Sequence, residues 1–158
     1  MFERVLVPLD GSKVGESALP VIEQLVDKLA PSAKVEITLI GVITLLRHWV
    51  VVGEASAPVS YTDEELQIIK ERVSDYLIKT AESLKKRGVS VNTIVSSGNA
   101  ADEILKAVDE VKADLIAMST HGRSGLRRLA FGSITDKVLH GSHIPVLMVR
   151  APEGTINE

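Results

Sequence analysis

The 158-residue chain contains no cysteine, so no disulfide framework staples it and no thiolate can hold a metal. It has no apolar run of the roughly 18 residues that a membrane-spanning helix requires. Its start, M-F-E-R-V-L-V-P-L-D, has neither the basic opening nor the apolar core of a signal peptide. A cytoplasmic protein is the expectation. Charge of one sign is scarce as well: 18 Lys and Arg stand against 21 Asp and Glu, a net charge of −3. That balance gives no general attraction to nucleic acid or to an acidic membrane surface, and neither is expected as a partner. Two phosphate-binding signatures are missing, Gly-x4-Gly-Lys-[Ser/Thr] and a Gly-x-Gly-x-x-Gly after a strand. No neighbouring Ser, His and Asp assemble a nucleophile with its base. His140 and His143 are separated by Gly141, a helix-ending residue, which argues against a metal pair.

What is present is ordinary globular material, 45% hydrophobic and 25% charged, of a length that suits one domain. That domain is expected over 1–150, with a C-terminal tail at 151–158. Arg4 to Leu9 is a short valine-rich run that suits a strand buried on both faces. Val14 to Leu29 places Ala18, Val21, Ile22, Leu25, Val26 and Leu29 at helical spacing; Pro20 requires that the regular helix start beside it or kink there. Lys34 to Ile43 reads as the second strand. A long loop insertion at 44–61 follows, read as a loop or short helix laying Leu45, Leu46, Trp49 and Val50 to Val52 over the sheet edge, or else as a ligand lid or partner surface.

Thr62 with Glu65 three residues on is a capping box, opening a helix with Leu66, Ile69, Val73, Leu77, Ala81 and Leu84 on one face. Gly88 stops it. Val89 to Val95 is the third strand, and Asn99 caps a helix through Glu110. Asp114 to Met118 is the fourth strand, Ser133 to His140 a short helix, and Pro145 to Val149 the fifth strand. Strands alternating with helices give an α/β fold, a doubly wound five-stranded parallel sheet with helices on both faces. Ligands of such sheets bind beyond the carboxyl ends of the strands, where strand order reverses. Asp10, Val42 and Ser119 all fall at such ends.

The chemistry concentrates in Ser119 to Thr135, S-T-H-G-R-S-G-L-R-R-L-A-F-G-S-I-T. Between Asp114 and Asp136 stand Arg123, Arg127 and Arg128 and no carboxylate, a local excess that points to an anionic ligand. Gly122, Gly125 and Gly132 permit close backbone approach. The helix start at Gly132-Ser133 adds unpaired N–H groups and a positive dipole end. His121 reads either as a neighbour of phosphate or as a solvent-facing loop residue. The loop also reads as a plain turn in which Ser133 caps the helix with Asp136 three residues later. Asp10 reads equally as a turn residue, and Val42 and Met118 as core.

The segments V-L-V-P-L-D-G-S, G-N-A-A-D-E-I, D-L-I-A-M-S-T-H-G-R-S-G and I-P-V-L-M-V, with Ser119-x2-Gly122-x9-Gly132-Ser133, resemble the universal stress protein family of ATP-binding type. The likeness covers nearly the whole chain except 44–61. It implies a Rossmann-like fold of the adenine nucleotide alpha hydrolase kind and an ATP, ADP or AMP ligand, with Mg2+ accompanying the nucleotide. By the same resemblance, Asp10 and Val42 hold adenine, with Pro8 and Leu9 beside them. Met118 and Ser119 meet ribose and phosphate, and Gly122, Gly132, Ser133, Ile134 and Thr135 cradle the phosphates. His121, Arg123 and Gly125 share that loop.

The resemblance further implies a homodimer through the last strand, Val146 to Arg150, and a stress-response binding or signalling module. No enzymatic turnover is expected beyond slow or partner-assisted ATP hydrolysis. Ser119 departs from the family motif, which has its first glycine there, and a Cβ narrows the backbone's freedom at that point. Two other readings stand beside this one: a dimeric family member that binds no nucleotide, and an adenylating enzyme of a related fold. Against the second, no Ser-Gly-Gly-x-Asp-Ser loop follows the first strand.

Overall fold

The computed structural model of the chain describes residues 2–28, 34–44, 48–52, 55–120 and 132–155. The expected doubly wound sheet is what these residues form. The strands are β1 (Arg4–Pro8), β2 (Glu36–Ile43), β3 (His48–Val52), β4 (Ala55–Val59), β5 (Ser90–Ser97), β6 (Leu115–Thr120) and β7 (Val146–Arg150). The helices are α1 (Leu19–Asp27), α2 (Asp63–Lys85), α3 (Ala100–Glu110) and α4 (Ser133–Gly141), and a 3-10 turn, Gly15–Ala18, precedes α1. Five strands lie in one parallel sheet in the order β5-β2-β1-β6-β7.

Alternation along each strand separates two apolar layers. Val5, Val7, Ile37 and Leu39 pack with Ile22, Leu77, Ala81 and Leu84 under α1 and α2. Leu6, Ile40, Ile116 and Met118 pack with Ile104, Val108 and Val138 under α3 and α4. Gly41 sets how closely α2 can lie: a Cβ there would stand 2.6 Å from Val73 Cγ1. The helix α2 opens on the expected capping box, with Thr62 and Glu65 bonding each other's backbone N–H groups. Asn99 caps α3 through the N–H groups of Ala101 and Asp102.

Running parallel on one face, α1 with its preceding turn and α2 are clasped at a constant offset in sequence. Tyr76 donates to Glu16 at 2.9 Å, Ser83 donates to Glu23, and Arg87 pairs with Asp27 and, at 3.0 Å, with Glu23. Burial first, and then the hydrogen bond to the Glu16 carboxylate, raise the Tyr76 pKa well above the usual phenol range.

Two local expectations are corrected. The segment 44–61 is neither a plain loop nor a short helix: β3 and β4 pair antiparallel, from His48 opposite Val59 to Val52 opposite Ala55. The β-branched and aromatic run W-V-V-V favours extended backbone over a helical turn. Second, β5 runs through Ser97, past the strand end expected at Val95, because its ladder to β2 continues with Val42 opposite Ser96 and Ile43 opposite Ser97. The regular helix begins at Leu19, beside Pro20 as the sequence required, with the proline in its first turn, where the missing N–H costs no hydrogen bond.

Candidate functional site

Strand order reverses beside β1, with β2 on one side and β6 on the other. The two neighbours are not equally paired to it. With β2, β1 is in register over its full length, Arg4 opposite Glu36 to Pro8 opposite Ile40. With β6 the register covers only Val5 opposite Leu115 and Leu6 opposite Ile116. The Leu9 N–H bonds the Ile40 carbonyl on β2 at 2.9 Å. Successive residues of an inner strand address opposite neighbours, so the nitrogen of Pro8 faces β6 and has no hydrogen to give. The ladder therefore ends at the point of reversal, and the carboxyl ends of β1 and β6 part.

A cavity of about 340 Å³ opens there. Pro8, Leu9 and Asp10 line it from the end of β1, Val42 from β2, and Met118 and Ser119 from β6. Gly132, Ser133, Ile134 and Thr135 close it from the start of α4. Thus ten positions singled out in the sequence meet at one crevice. His121, Gly122, Arg123 and Gly125, with Arg127 and Arg128, lie outside the described residues. Sequence reasoning missed Val14, Gly15, Ile40, Thr44, Ala100 and Ile104, which also line the cavity. Ile40 carried a signal, since it shares a strand face with Val42. Gly15 carried none, because its place depends on how the 3-10 turn folds back.

That turn is built around Asp10. Its Oδ1 accepts from the Ser12 N–H at 2.9 Å and from the Ser12 hydroxyl at 2.6 Å, while Ser12 Oγ accepts from the Gly15 N–H at 2.9 Å. Asp10 is thus a turn residue and a cavity residue at once. A Cβ on Gly15 would sit 2.3 Å from Asp10 Oδ1, so a larger residue would have to displace the Asp10 carboxylate from its bonds to Ser12. From the other wall, Ser119 Oγ donates to the Gly15 carbonyl at 2.8 Å, a bond that spans 104 positions of the chain. The serine that departs from the motif is therefore the tie between β6 and the turn.

The N-terminus of α4 also lines the cavity. Its N-cap is Gly132, with φ −58° and ψ 153° and no side-chain cap, which corrects the reading of Ser133 as the cap. The Asp136 N–H bonds the Gly132 carbonyl at 2.9 Å, leaving the N–H groups of Ser133, Ile134 and Thr135 without intrahelical acceptors. Thr135 is only 7% exposed, and its hydroxyl has no hydrogen-bond partner among the described residues. A Cβ built on Gly132 meets no described atom within 4 Å, and its φ is open to any residue. Neither backbone nor packing among the described residues asks for glycine there.

The site is chemically divided. Asp10 and the tied Ser119 offer acceptors, the start of α4 offers backbone donors, and Val14, Ile40, Val42, Ile104 and Met118 offer apolar surface. Among the described residues no group of three or more His, Cys, Asp and Glu is placed to hold a metal, and Asp10 is the one carboxylate on the cavity. No described helix is long and apolar enough to cross a membrane.

A family model described as the universal stress protein family matches residues 1–150. The universal stress protein YxiE of Bacillus subtilis is 31% identical over 150 residues, which cover 95% of this chain and 100% of that protein. Among solved structures, the MJ0577 protein of Methanocaldococcus jannaschii superposes with a TM-score of 0.72 at 22% identity, covering 98% of this chain and 99% of that one. A family protein from Arabidopsis thaliana with AMP bound gives a TM-score of 0.60 at 16% identity, over 99% of each chain.

Proposed function

The chain belongs to the universal stress protein family, and on that premise we propose that it binds ATP or another adenine nucleotide in the cavity at β1 and β6. It acts in the cytoplasm as a stress-response binding or signalling module, without turnover of its own. The observation that carries the reading is the α4 terminus. Three N–H groups without intrahelical acceptors and a buried Thr135 hydroxyl with no partner among the described residues line the cavity, and the space beside Gly132 is open. Backbone donors at a helix N-terminus suit phosphate oxygens. The apolar walls suit a purine ring. Adenine then lies by Leu9, Asp10 and Val42, ribose by Met118 and Ser119, and phosphate on Gly132 to Thr135. His121, Gly122, Arg123 and Gly125 complete the phosphate cradle. A magnesium ion would be held mainly by phosphate oxygens and water, since the cavity's described carboxylate is Asp10 alone. The AMP-bound structure of the Arabidopsis protein is consistent with this choice of ligand.

Acid extraction of the purified protein, followed by chromatography, should release adenine nucleotide, or calorimetry should give saturable binding of added ATP with magnesium. A protein that releases none and binds none belongs with family members that lack a nucleotide.

The proposed assembly is a homodimer through β7, which lies at the sheet's edge. The Ile116 N–H bonds the Pro145 carbonyl and the Ala151 N–H bonds the Thr120 carbonyl, so odd-numbered positions of β7 face β6 and the Met148 N–H points outward. Proline is tolerated on an edge only with its nitrogen outward. Met148→Pro should therefore leave the sheet folded and convert a dimer to a monomer in sedimentation equilibrium. A mutant that remains dimeric would place the interface elsewhere.

A further inference from the structure

Val14 and Gly15, where the 3-10 turn begins, line the cavity, and the turn has little backbone structure of its own to hold it there. The Ser17 N–H bonds the Val14 carbonyl at 3.1 Å and the Leu19 N–H bonds the Glu16 carbonyl, both over three residues, a geometry poorer than that of a regular helix. Side chains from two other elements reach in to it. Ser119 on β6 donates to the Gly15 carbonyl at 2.8 Å. Tyr76 on α2 donates to Glu16 Oε1 at 2.9 Å, across 60 positions of the chain. Glu16 and Tyr76 share a groove of about 390 Å³ between α1 and α2, and neither is among the described residues that line the cavity. Burial, the Glu16 carboxylate and, more weakly, the charge of Asp10 raise the phenol's pKa, so it stays a donor.

We propose that Tyr76 and Glu16 are a positioning pair for the nucleotide: their bond sets where the turn stands against the cavity, and so how much of the free protein is ready to bind. The proposal rests on the nucleotide reading above and adds to it two residues outside the cavity. The two clasps farther along, Ser83 with Glu23 and Arg87 with Glu23 and Asp27, reach α1, whose backbone its own hydrogen bonds already fix. Glu16 is the clasped residue that lies before α1, in the turn. A side-chain bond there decides the position of the backbone instead of adding to it. Without that bond the turn spends part of its time displaced, and the apparent dissociation constant rises by the inverse of the fraction still in place. The net worth of one partly exposed hydrogen bond bounds the loss at roughly two- to tenfold.

Calorimetric titration of ATP with magnesium, paired with thermal melts, tests this on Tyr76→Phe, Glu16→Ala, the double variant and Glu16→Gln. Tyr76→Phe and Glu16→Ala should each weaken ATP by that factor, and the double variant by no more than either, because both remove the same bond. Glu16→Gln, whose amide oxygen still accepts from the phenol, should bind within about twofold of wild type, below the scale of a lost bond. Two controls separate position from stability. Leu77→Ala loosens α2 through the core and Ser83→Ala opens the next clasp; both should keep ATP affinity within about twofold, whatever they do to the melting temperature. Tyr76→Phe that binds ATP like the wild type would overturn the proposal. Additive losses in the double variant, or a Glu16→Gln as weak as Glu16→Ala, would overturn it too, since the bond would then not be what matters. Controls as weak as Tyr76→Phe would reduce the pair to general support of the helical layer and overturn it likewise. Wild-type protein that binds no ATP refutes the nucleotide reading itself, a result distinct from all of these.

Discussion

Gly132→Val should abolish nucleotide binding and leave the protein folded. The backbone at Gly132, φ −58° and ψ 153°, lies in the extended region that β-branched residues favour. No described atom stands within 4 Å of the new Cβ, so the substitution breaks no described contact. Its structural cost is that of a poor N-cap, about 1 kcal/mol or less. The added side chain would stand in the open space beside the start of α4, where the proposed phosphate lies. Losing two charge-assisted hydrogen bonds of about 1.5 kcal/mol each weakens affinity by at least about a hundredfold. Calorimetry reads the loss, and circular dichroism reads the intact fold. Unchanged affinity in a folded mutant would remove the α4 terminus from the site.

Leu77→Ala should do the reverse, costing stability and sparing affinity. Leu77 is fully buried among Ile37, Leu39, Ala81 and Leu84. Its two methyl carbons lie 3.4 and 3.8 Å from where a Cβ on Gly41 would stand, so with Val73 it fills the close approach of α2 to the sheet. Truncation removes buried methyls and leaves a void, at a cost of about 2–5 kcal/mol. In a chain of this size that lowers the melting temperature by roughly 5–20 °C. No residue of α2 lines the cavity, so nucleotide affinity at low temperature should stay within about twofold, below the scale of a single lost hydrogen bond. A melting temperature within a degree of wild type would contradict the packing described for this face.

The two substitutions separate what was legible in the sequence from what was not. Apolar alternation in R-V-L-V-P-L and in the strand ending at Ile43 identified strands buried on both faces, because period and burial are properties of neighbouring residues. Thr62 with Glu65, and Asn99, marked the starts of α2 and α3 for the same reason: a cap is a local hydrogen bond. Strand ends were less legible. Ser96, Ser97, Ser119 and Thr120 have turn-favouring or neutral side chains, yet pairing with β2 and β7 holds them extended. Such pairing is set by residues distant in the chain and outweighs local preference.

The crevice was legible in outline. Asp10, Val42, Ser119 and Gly132 lie far apart in the chain and met because the order of α/β elements implies a point of reversal. Its detailed form depended on three contacts the sequence does not announce. Pro8 faces β6 rather than β2, Gly15 folds back on Asp10, and Ser119 reaches across to Gly15. The last of these changes how the departure from the motif is understood. A serine in the glycine's position reads, from sequence, as a restriction on the backbone; in the fold it is a strand residue whose side chain is already committed.

The Tyr76 bond to Glu16 and the Ser119 bond to Gly15 hold adjacent residues of one short turn from two sides, α2 and β6. That turn forms a wall of the cavity, so its position is tied both to the helical layer and to the strand where sheet order reverses. A preformed wall lowers the ordering cost of binding.

The central claim is that this cavity holds an adenine nucleotide, and titration of ATP with magnesium into nucleotide-stripped protein in a calorimeter tests it most directly. Saturable binding of about one nucleotide per chain, lost in Gly132→Val, is the predicted result. A flat titration from folded wild-type protein, with AMP and ADP equally silent, would contradict it.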